Sequence, residues 1–432
     1  MAECVAGCTE ECAGCTFSHP EWEQAWAPNW KSAVFFQGFD GAACYRVPSG
    51  MKTSKGTLLA FAEQRLSNCG DDGQLNIVLR RSIDDGHTWG KIITVVVGKP
   101  PCATCPAATS NANPVEVKQA DGTMALLLHY DTMNNPEPKR HGLDMQTWSF
   151  DDGLTWALGT VLEYPPQPNI GAMVGPSVGI QAATGRIFFS AHLAYSYWTA
   201  GWAGADTDVA FLYWSDDFGR SWRASESVPG LNECSISFLV DAHDGRVLMN
   251  CRTTSGNPRA QLVWHPNASL ARDGPGGATH DKGRKRSKVG DVKFELQTSG
   301  ATTSRFTHGA VGKGGPPVTG CQGSLVRFAG AHYASYPSSQ SSRQELDVYR
   351  STDGGASWSS IKRVWAGPSA YSQLVPLDES TGLMGLLLEA GYGSPYETIE
   401  FVSFTVPMPP PPPPELQAGS SLPPVPPSPA LI

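Results

Sequence analysis

Long apolar runs are missing from this sequence: no stretch approaches the ~20 consecutive apolar residues of a membrane-crossing helix, so no membrane span is expected. The start also lacks a basic stretch followed by an apolar run, and no secretory signal is visible there; a true start further upstream would explain that equally well. The expectation is a soluble chain, with cytoplasmic, lysosomal and secreted locations all open. Positive charge is scarce too. Lys and Arg number 32 against 40 Asp and Glu, a formal net charge of −8, and the one dense basic run, Lys282 to Lys288, is short. No nucleic-acid partner is expected, because phosphate binding needs a basic face. A small anionic ligand stays possible, since a pocket can gather a few arginines whatever the net charge.

Turn formers and aromatics are plentiful: 46 Gly, 35 Pro and 13 Trp among 432 residues point to many turns and short aromatic-rich strands, an all-β chain large enough for a substantial core. Of eleven Cys, four crowd the start at Cys4, Cys8, Cys12 and Cys15. That spacing suits disulfides or a metal. No His or paired Cys unit at zinc-ribbon spacing follows, so disulfides are favoured and no metal or cofactor is expected. An odd count leaves at least one thiol unpaired.

Composition divides the chain into three parts. Residues 1–32 form a Cys-rich leader; strand-like text begins near Ala33-Val34-Phe35-Phe36 and ends at Phe404-Thr405-Val406, a folded body of 33–406. From Pro407 the prolines 409–414 and then SSLPPVPPSP favour a solvated polyproline II tail over 407–432, a candidate ligand for a proline-binding module. Within the body a motif recurs: SIDDGHTW from Ser82, SFDDGLTW from Ser149, SDDFGRSW from Ser215 and STDGGASW from Ser351, each fitting S-x-D-x-G-x-[ST]-W. Successive starts lie 67, 66 and 136 residues apart, so a unit near residue 283 has the period without the motif. It falls in a polar, Gly-rich and basic surface insertion at about 266–300. A repeat of this length in β-rich text implies propeller blades. Locally, the Asp accepts hydrogen bonds from turn backbone, the Gly permits a positive φ, and the Trp packs onto the blade beneath. The motif resembles the Asp box of sialidase propellers and other Asp-box proteins, where it lies away from the catalytic face.

Chemistry resides elsewhere, in arginines and carboxylates beside the β-rich runs. YRVP, containing Arg46, resembles the YRIP or FRIP of sialidases, MNCR with Arg252 resembles their MLNxR, and Arg343 precedes a strand and an Asp box as theirs does. The resemblance to the sialidase family implies a six-bladed β-propeller in which these three arginines clamp a substrate carboxylate through paired, charge-assisted hydrogen bonds. FAEQR followed by GDDG resembles the segment carrying a further arginine, Arg65, near the substrate's O4, and the catalytic acid. Asp71 aligns as that acid, with adjacent Asp72 as the alternative. LNECSISF resembles the NECQV strand and makes Glu233 the base; GPSAYSQL matches the AYS segment and makes Tyr371 the nucleophile, as the known tyrosine exception to the two-carboxylate rule requires. The YE…YExIxF ending implies that Glu389 orients Arg46.

NANP at Asn111 to Pro114 only partly follows the family's NPxP, and Ser235 and Phe238 replace polar residues common after the glutamate. The implied activity is exo-α-sialidase acting on sialylated glycoproteins, glycolipids or oligosaccharides. A trans-sialidase and a non-catalytic Asp-box glycan-binding propeller are the alternatives. Neither the sugar nor the linkage is specified.

Overall fold

The computed structural model describes residues 28–71, 73–98, 108–133, 143–165, 173–194, 208–225, 227–253, 259–265, 294–296, 321–339 and 342–408. The leader up to residue 27, most of the 266–300 insertion, the tail from 409 and Asp72 lie outside the described residues. Regular structure among them is strand throughout, apart from one 3-10 turn at Phe39–Gly41.

The strands pack on both faces, and that explains their sequences. Leu58–Arg65, LLAFAEQR, is buried along its whole length. Leu58, Ala60 and Ala62 join Leu387 and Phe401 from the chain's end, whereas Leu59 and Phe61 join Leu126 and Leu128 from the following segment. Successive strand side chains point to opposite faces, so a strand covered on both sides shows a continuous apolar run instead of alternation. Ile187–Ala194 divides in the same way: Ile187 and Phe189 face Leu127 and Trp222, while Phe188 faces Ile236 and Trp264.

Consecutive strands pair antiparallel into meanders, for example Cys44–Lys52, Leu58–Arg65 and Leu75–Ser82, or Leu231–Phe238, Val247–Thr253 and Ala260–Trp264. Hydrogen bonding gathers them into four sheets because neighbouring meanders are twice joined. One join is a single parallel pairing, Leu75 with Ala108. The other is the strand Ser359–Asp378, whose first half pairs with Gln344–Ser351 and whose second half pairs with Leu383–Ala390. Leading strands of the meanders lie side by side: Cys44–Lys52 between Ala108–Lys118 and Ser359–Asp378, and Ser324–Phe328 between Ser359–Asp378 and Leu231–Phe238. Trp30–Phe36, early in the chain, completes the last meander by pairing with Thr398–Thr405.

Each Asp box is more than the local staple expected from its sequence. In the second, Asp151 accepts hydrogen bonds from the Ser149 hydroxyl (2.9 Å), the Thr155 amide (2.8 Å) and the Thr155 hydroxyl (2.6 Å). The residue before the box glycine is left-handed as well, with φ of 56° at Asp85, 64° at Asp152, 59° at Phe218 and 72° at Gly354. The turn so formed aims its carbonyls at the preceding meander. Arg81 donates to the Asp152 carbonyl, Gln146 to that of Gly219 and Gln261 to that of Gly355, while in the first box Ser32 donates to Gly86. The boxes therefore join one meander to the next.

Candidate active site

One device recurs in three of the leading strands: the register with the second strand slips where the expected site residues stand. It shifts between Arg46 and Ser49, between Leu231 and Cys234 around Glu233, and between Ser369 and Ser372 around Tyr371. A bulge leaves residues unpaired and re-aims their side chains, which is how strands that carry an apolar core also present polar groups at one end. Val47, at φ 55°, marks the first of these bulges.

Glu389 ties two bulges together. Its carboxylate accepts from Arg46 Nε (3.1 Å) and Nη2 (3.4 Å), from the Val47 amide (2.8 Å) and from the Tyr371 amide (3.0 Å). A fully buried carboxylate is costly without partners, and four donors offset that cost. Glu389 thus forms an ion pair with Arg46, the partner that the sequence suggested for it.

The Tyr371 hydroxyl donates a short hydrogen bond to Glu233 Oε1, and Arg252 Nη1 reaches both Glu233 Oε2 (2.8 Å) and the Tyr371 oxygen (3.4 Å). The guanidinium carbons of Arg46 and Arg343 each stand 5.3 Å from the centre of the Tyr371 ring. Arginines separated by almost 300 residues in sequence thus surround one phenol. Burial, then the Glu233 carboxylate, pushes the phenol well above its ordinary pKa, so it rests protonated. Burial pushes Glu233 up, but Arg252, His192 and the tyrosine hydroxyl outweigh it and hold the carboxyl below its ordinary value. A neutral phenol hydrogen-bonded to an ionised carboxylate is poised for proton transfer when the phenol oxygen attacks an electron-poor centre.

Asp71 adjoins two arginines, its side chain 56% exposed and its Oδ1 2.7 Å from Arg65 Nη1 and 3.7 Å from Arg46 Nη1. Burial raises its pKa, but Arg65 and then Arg46 prevail and hold it low. Arg65 is itself fixed by the buried Glu63, which also accepts from the Ser110 hydroxyl and the Asn111 amide.

Two contributors escaped the sequence. Glu63 lies within FAEQR and carries no signal beyond being a carboxylate in an apolar strand. Tyr396 lies within the YExIxF ending; its ring stacks under Arg46 at 4.1 Å and its hydroxyl accepts from Arg343 Nη1 at 3.1 Å. The turn that presents it is fastened by Glu397, which accepts from the Tyr392, Gly393 and Ser394 amides.

A family model described as a BNR repeat-like domain matches residues 56–265. The chain is 29% identical over 371 residues to a sialidase of Micromonospora viridifaciens, covering 83% of this chain and 52% of that protein. It is 25% identical over 409 residues to sialidase-3 of Mus musculus, covering 87% and 94%. The chain therefore spans about half the length of the first relative and nearly all of the second. Among solved structures, a Hadza microbial sialidase matches with a TM-score of 0.63 at 19% identity over 87% of this chain and 68% of that one. Trypanosoma rangeli sialidase matches with a TM-score of 0.61 at 16% identity over 88% and 60%. Likenesses at that level of identity establish a common fold. Sequence and fold together assign the chain to the sialidase family with Asp-box repeats.

Proposed function

We propose that the protein is an exo-α-sialidase, a glycoside hydrolase that removes terminal sialic acid or a related nonulosonic acid from glycoproteins, glycolipids or oligosaccharides, with Tyr371 as nucleophile and retention of configuration. The observation that carries this proposal is the hydrogen bond from the Tyr371 hydroxyl to Glu233 among the guanidinium groups of Arg46, Arg252 and Arg343. We propose further that the meanders close as six blades. The side-by-side leading strands and the pairing of Trp30–Phe36 with Thr398–Thr405 support that closure.

In the proposed reaction the three arginines take the carboxylate that a sialic acid bears on its anomeric carbon. A carboxylate nucleophile would meet that substrate carboxylate with like charge, and a neutral phenol avoids the repulsion. As Tyr371 attacks, Glu233 receives its proton and Arg252 stabilises the charge developing on the phenol oxygen. Asp71 begins ionised between Arg65 and Arg46. Once the substrate carboxylate engages Arg46 and Arg343, two of the three cations that hold Asp71 low are diverted, its proton affinity rises, and it takes up a proton from solvent that it then gives to the departing oxygen. Asp71, ionised again, then removes a proton from the attacking water, and Glu233 returns its proton to the Tyr371 oxygen as the tyrosyl–sugar bond breaks with a second inversion.

Incubating the chain with a fluorogenic N-acetylneuraminic acid glycoside, beside its deaminated analogue, tests activity and sugar type together. Release of fluorophore with free sugar as product is expected. A folded protein that binds sialosides but turns over neither glycoside would leave a glycan-binding Asp-box propeller, and sugar moved to an added acceptor would make it a trans-sialidase.

A further inference from the structure

Both disulfides among the described residues abut the reacting groups. Cys44 is bonded to Cys69; the first stands two positions before Arg46, and the second two positions before Asp71. Cys234 is bonded to Cys251. These two face each other across Leu231–Phe238 and Val247–Thr253, the first immediately after Glu233 and the second immediately before Arg252. Each disulfide therefore brackets one carboxylate and one arginine.

Their surroundings explain what each bond would accomplish. Asp71 lies on a loop in which Ser67, Asn68 and Gly70 are also exposed. The loop's own hydrogen bonds include Leu66 to Gln74 at 3.2 Å and Gly70 to the Asn68 side chain at 2.6 Å, and Arg65 reaches the Cys69 carbonyl at 2.6 Å. An exposed loop samples more conformations than a packed strand, and a covalent tie to Cys44, in the strand of Arg46, restricts them. At the other disulfide the register of the pair slips between Leu231 and Cys234, around Glu233, and the bond between Cys234 and Cys251 sits where the register resumes. It clamps the end of the bulge that aims Glu233 at Arg252 and Tyr371.

We propose that the two disulfides are positioning elements of the reaction: Cys44–Cys69 holds Asp71 at the arginine clamp, and Cys234–Cys251 holds Glu233 against Arg252. The inference rests on the assignment of Asp71 and Glu233 as acid and base. The two bonds differ in access. Cys69 is partly exposed on its loop, whereas Cys234 and Cys251 are both buried. Dithiothreitol, which supplies two electrons and two protons to open the bond into two thiols and itself closes to a cyclic disulfide, therefore reaches the first in the folded chain and leaves the second intact.

The test uses the full chain, a Cys44→Ser/Cys69→Ser double variant and a Cys234→Ser/Cys251→Ser double variant. Each is assayed on an aryl sialoside and on a sialyl-lactose, whose leaving group needs protonation, and each is followed by amide hydrogen exchange over residues 66–71. For the first variant the ratio of aryl to natural turnover should rise by about tenfold or more, since poor leaving groups depend most on the acid. Exchange in 66–71 should quicken. Mild dithiothreitol on the native chain should reproduce both changes, with alkylation mapped to Cys44 and Cys69, which covers the case in which that variant fails to fold. The second variant should lose turnover on both substrates alike; if it does not fold, exchange in the native chain should place Glu233 and its neighbours among the slowest amides. A first variant with native ratio and native exchange, or a folded second variant with native turnover, overturns the proposal. If the native chain hydrolyses neither substrate, the proposed function fails, and exchange at 66–71 alone decides whether the tether holds that loop.

Discussion

At the scale of single residues the site divides its tasks by environment. The surroundings of Tyr371, Glu233 and Asp71 widen the gap in acidity that already separates a phenol from a carboxyl: the phenol is raised by burial beside a carboxylate, and both carboxyls are held low by arginines. Tyr371→Phe removes only the hydroxyl and leaves the ring that Arg46 and Arg343 face, so kcat should fall by about a thousandfold while affinity for a sialoside inhibitor changes little. Glu233→Gln should resemble it. Asp71→Asn should spare aryl glycosides more than natural glycans, and Asp72→Asn should leave both near native; the reverse pattern would move the acid to Asp72. Steady-state kinetics on both substrate types check all four variants.

At the scale of elements, the Asp box and the closing strand carry the stability arguments. Asp151→Ala deletes an acceptor of three hydrogen bonds in a turn that joins two meanders, and a loss of roughly 1–3 kcal/mol is expected in denaturant titrations, with kcat at 25 °C unchanged. Gly86→Ala should cost more, because its Cβ would stand 2.3 Å from Phe401 and its φ of +88° disfavours any side chain. On the strand Thr398–Thr405, burial pushes the Glu400 carboxyl up to about 7, with Lys31 offsetting part of the effect. Between the ordinary carboxylate range and that value, the folded chain holds a proton that the unfolded chain has released, so stability falls as pH rises through this window. Glu400→Gln should be more stable than native at pH 8, by no more than about 3 kcal/mol, and close to native at pH 4. Urea titration at the two pH values measures the difference.

At the scale of the whole molecule, the pairing of Trp30–Phe36 with Thr398–Thr405 brings together strands from opposite ends of the folded body. Phe35 and Val34 are fully buried in the cluster that also holds Leu58, Leu387 and Phe401. Deleting residues through Phe36 would uncover that cluster and bare the edge of Thr398–Thr405, inviting intermolecular pairing. A fall in melting temperature of about 10 °C or more, or aggregation, is expected relative to a chain beginning at residue 28. A melting temperature equal to that reference would mean that the pairing contributes nothing.

The sequence by itself determined the all-β class and the four box turns, because each is written locally, in strand-like text and in the turn chemistry of eight residues; Arg46, Arg252, Arg343 and Tyr371 were picked out by resemblance to the sialidase family. Glu233 stood out in LNECSISF as a carboxylate in an apolar stretch that resembles the family's NECQV strand, and Glu389 was legible through the resemblance of LLLEAGYGSPYETIEF to the family's ending. Only the tertiary structure decided what those residues touch. That Arg46 and Arg343 face the same phenol, that Tyr396 lies between them, that Glu63 fixes Arg65, and that Cys44 pairs with Cys69 and Cys234 with Cys251 are all facts of bulge, register and packing between distant strands. Contacts across such separations depend on how meanders stack, and no local pattern along the chain encodes the stacking.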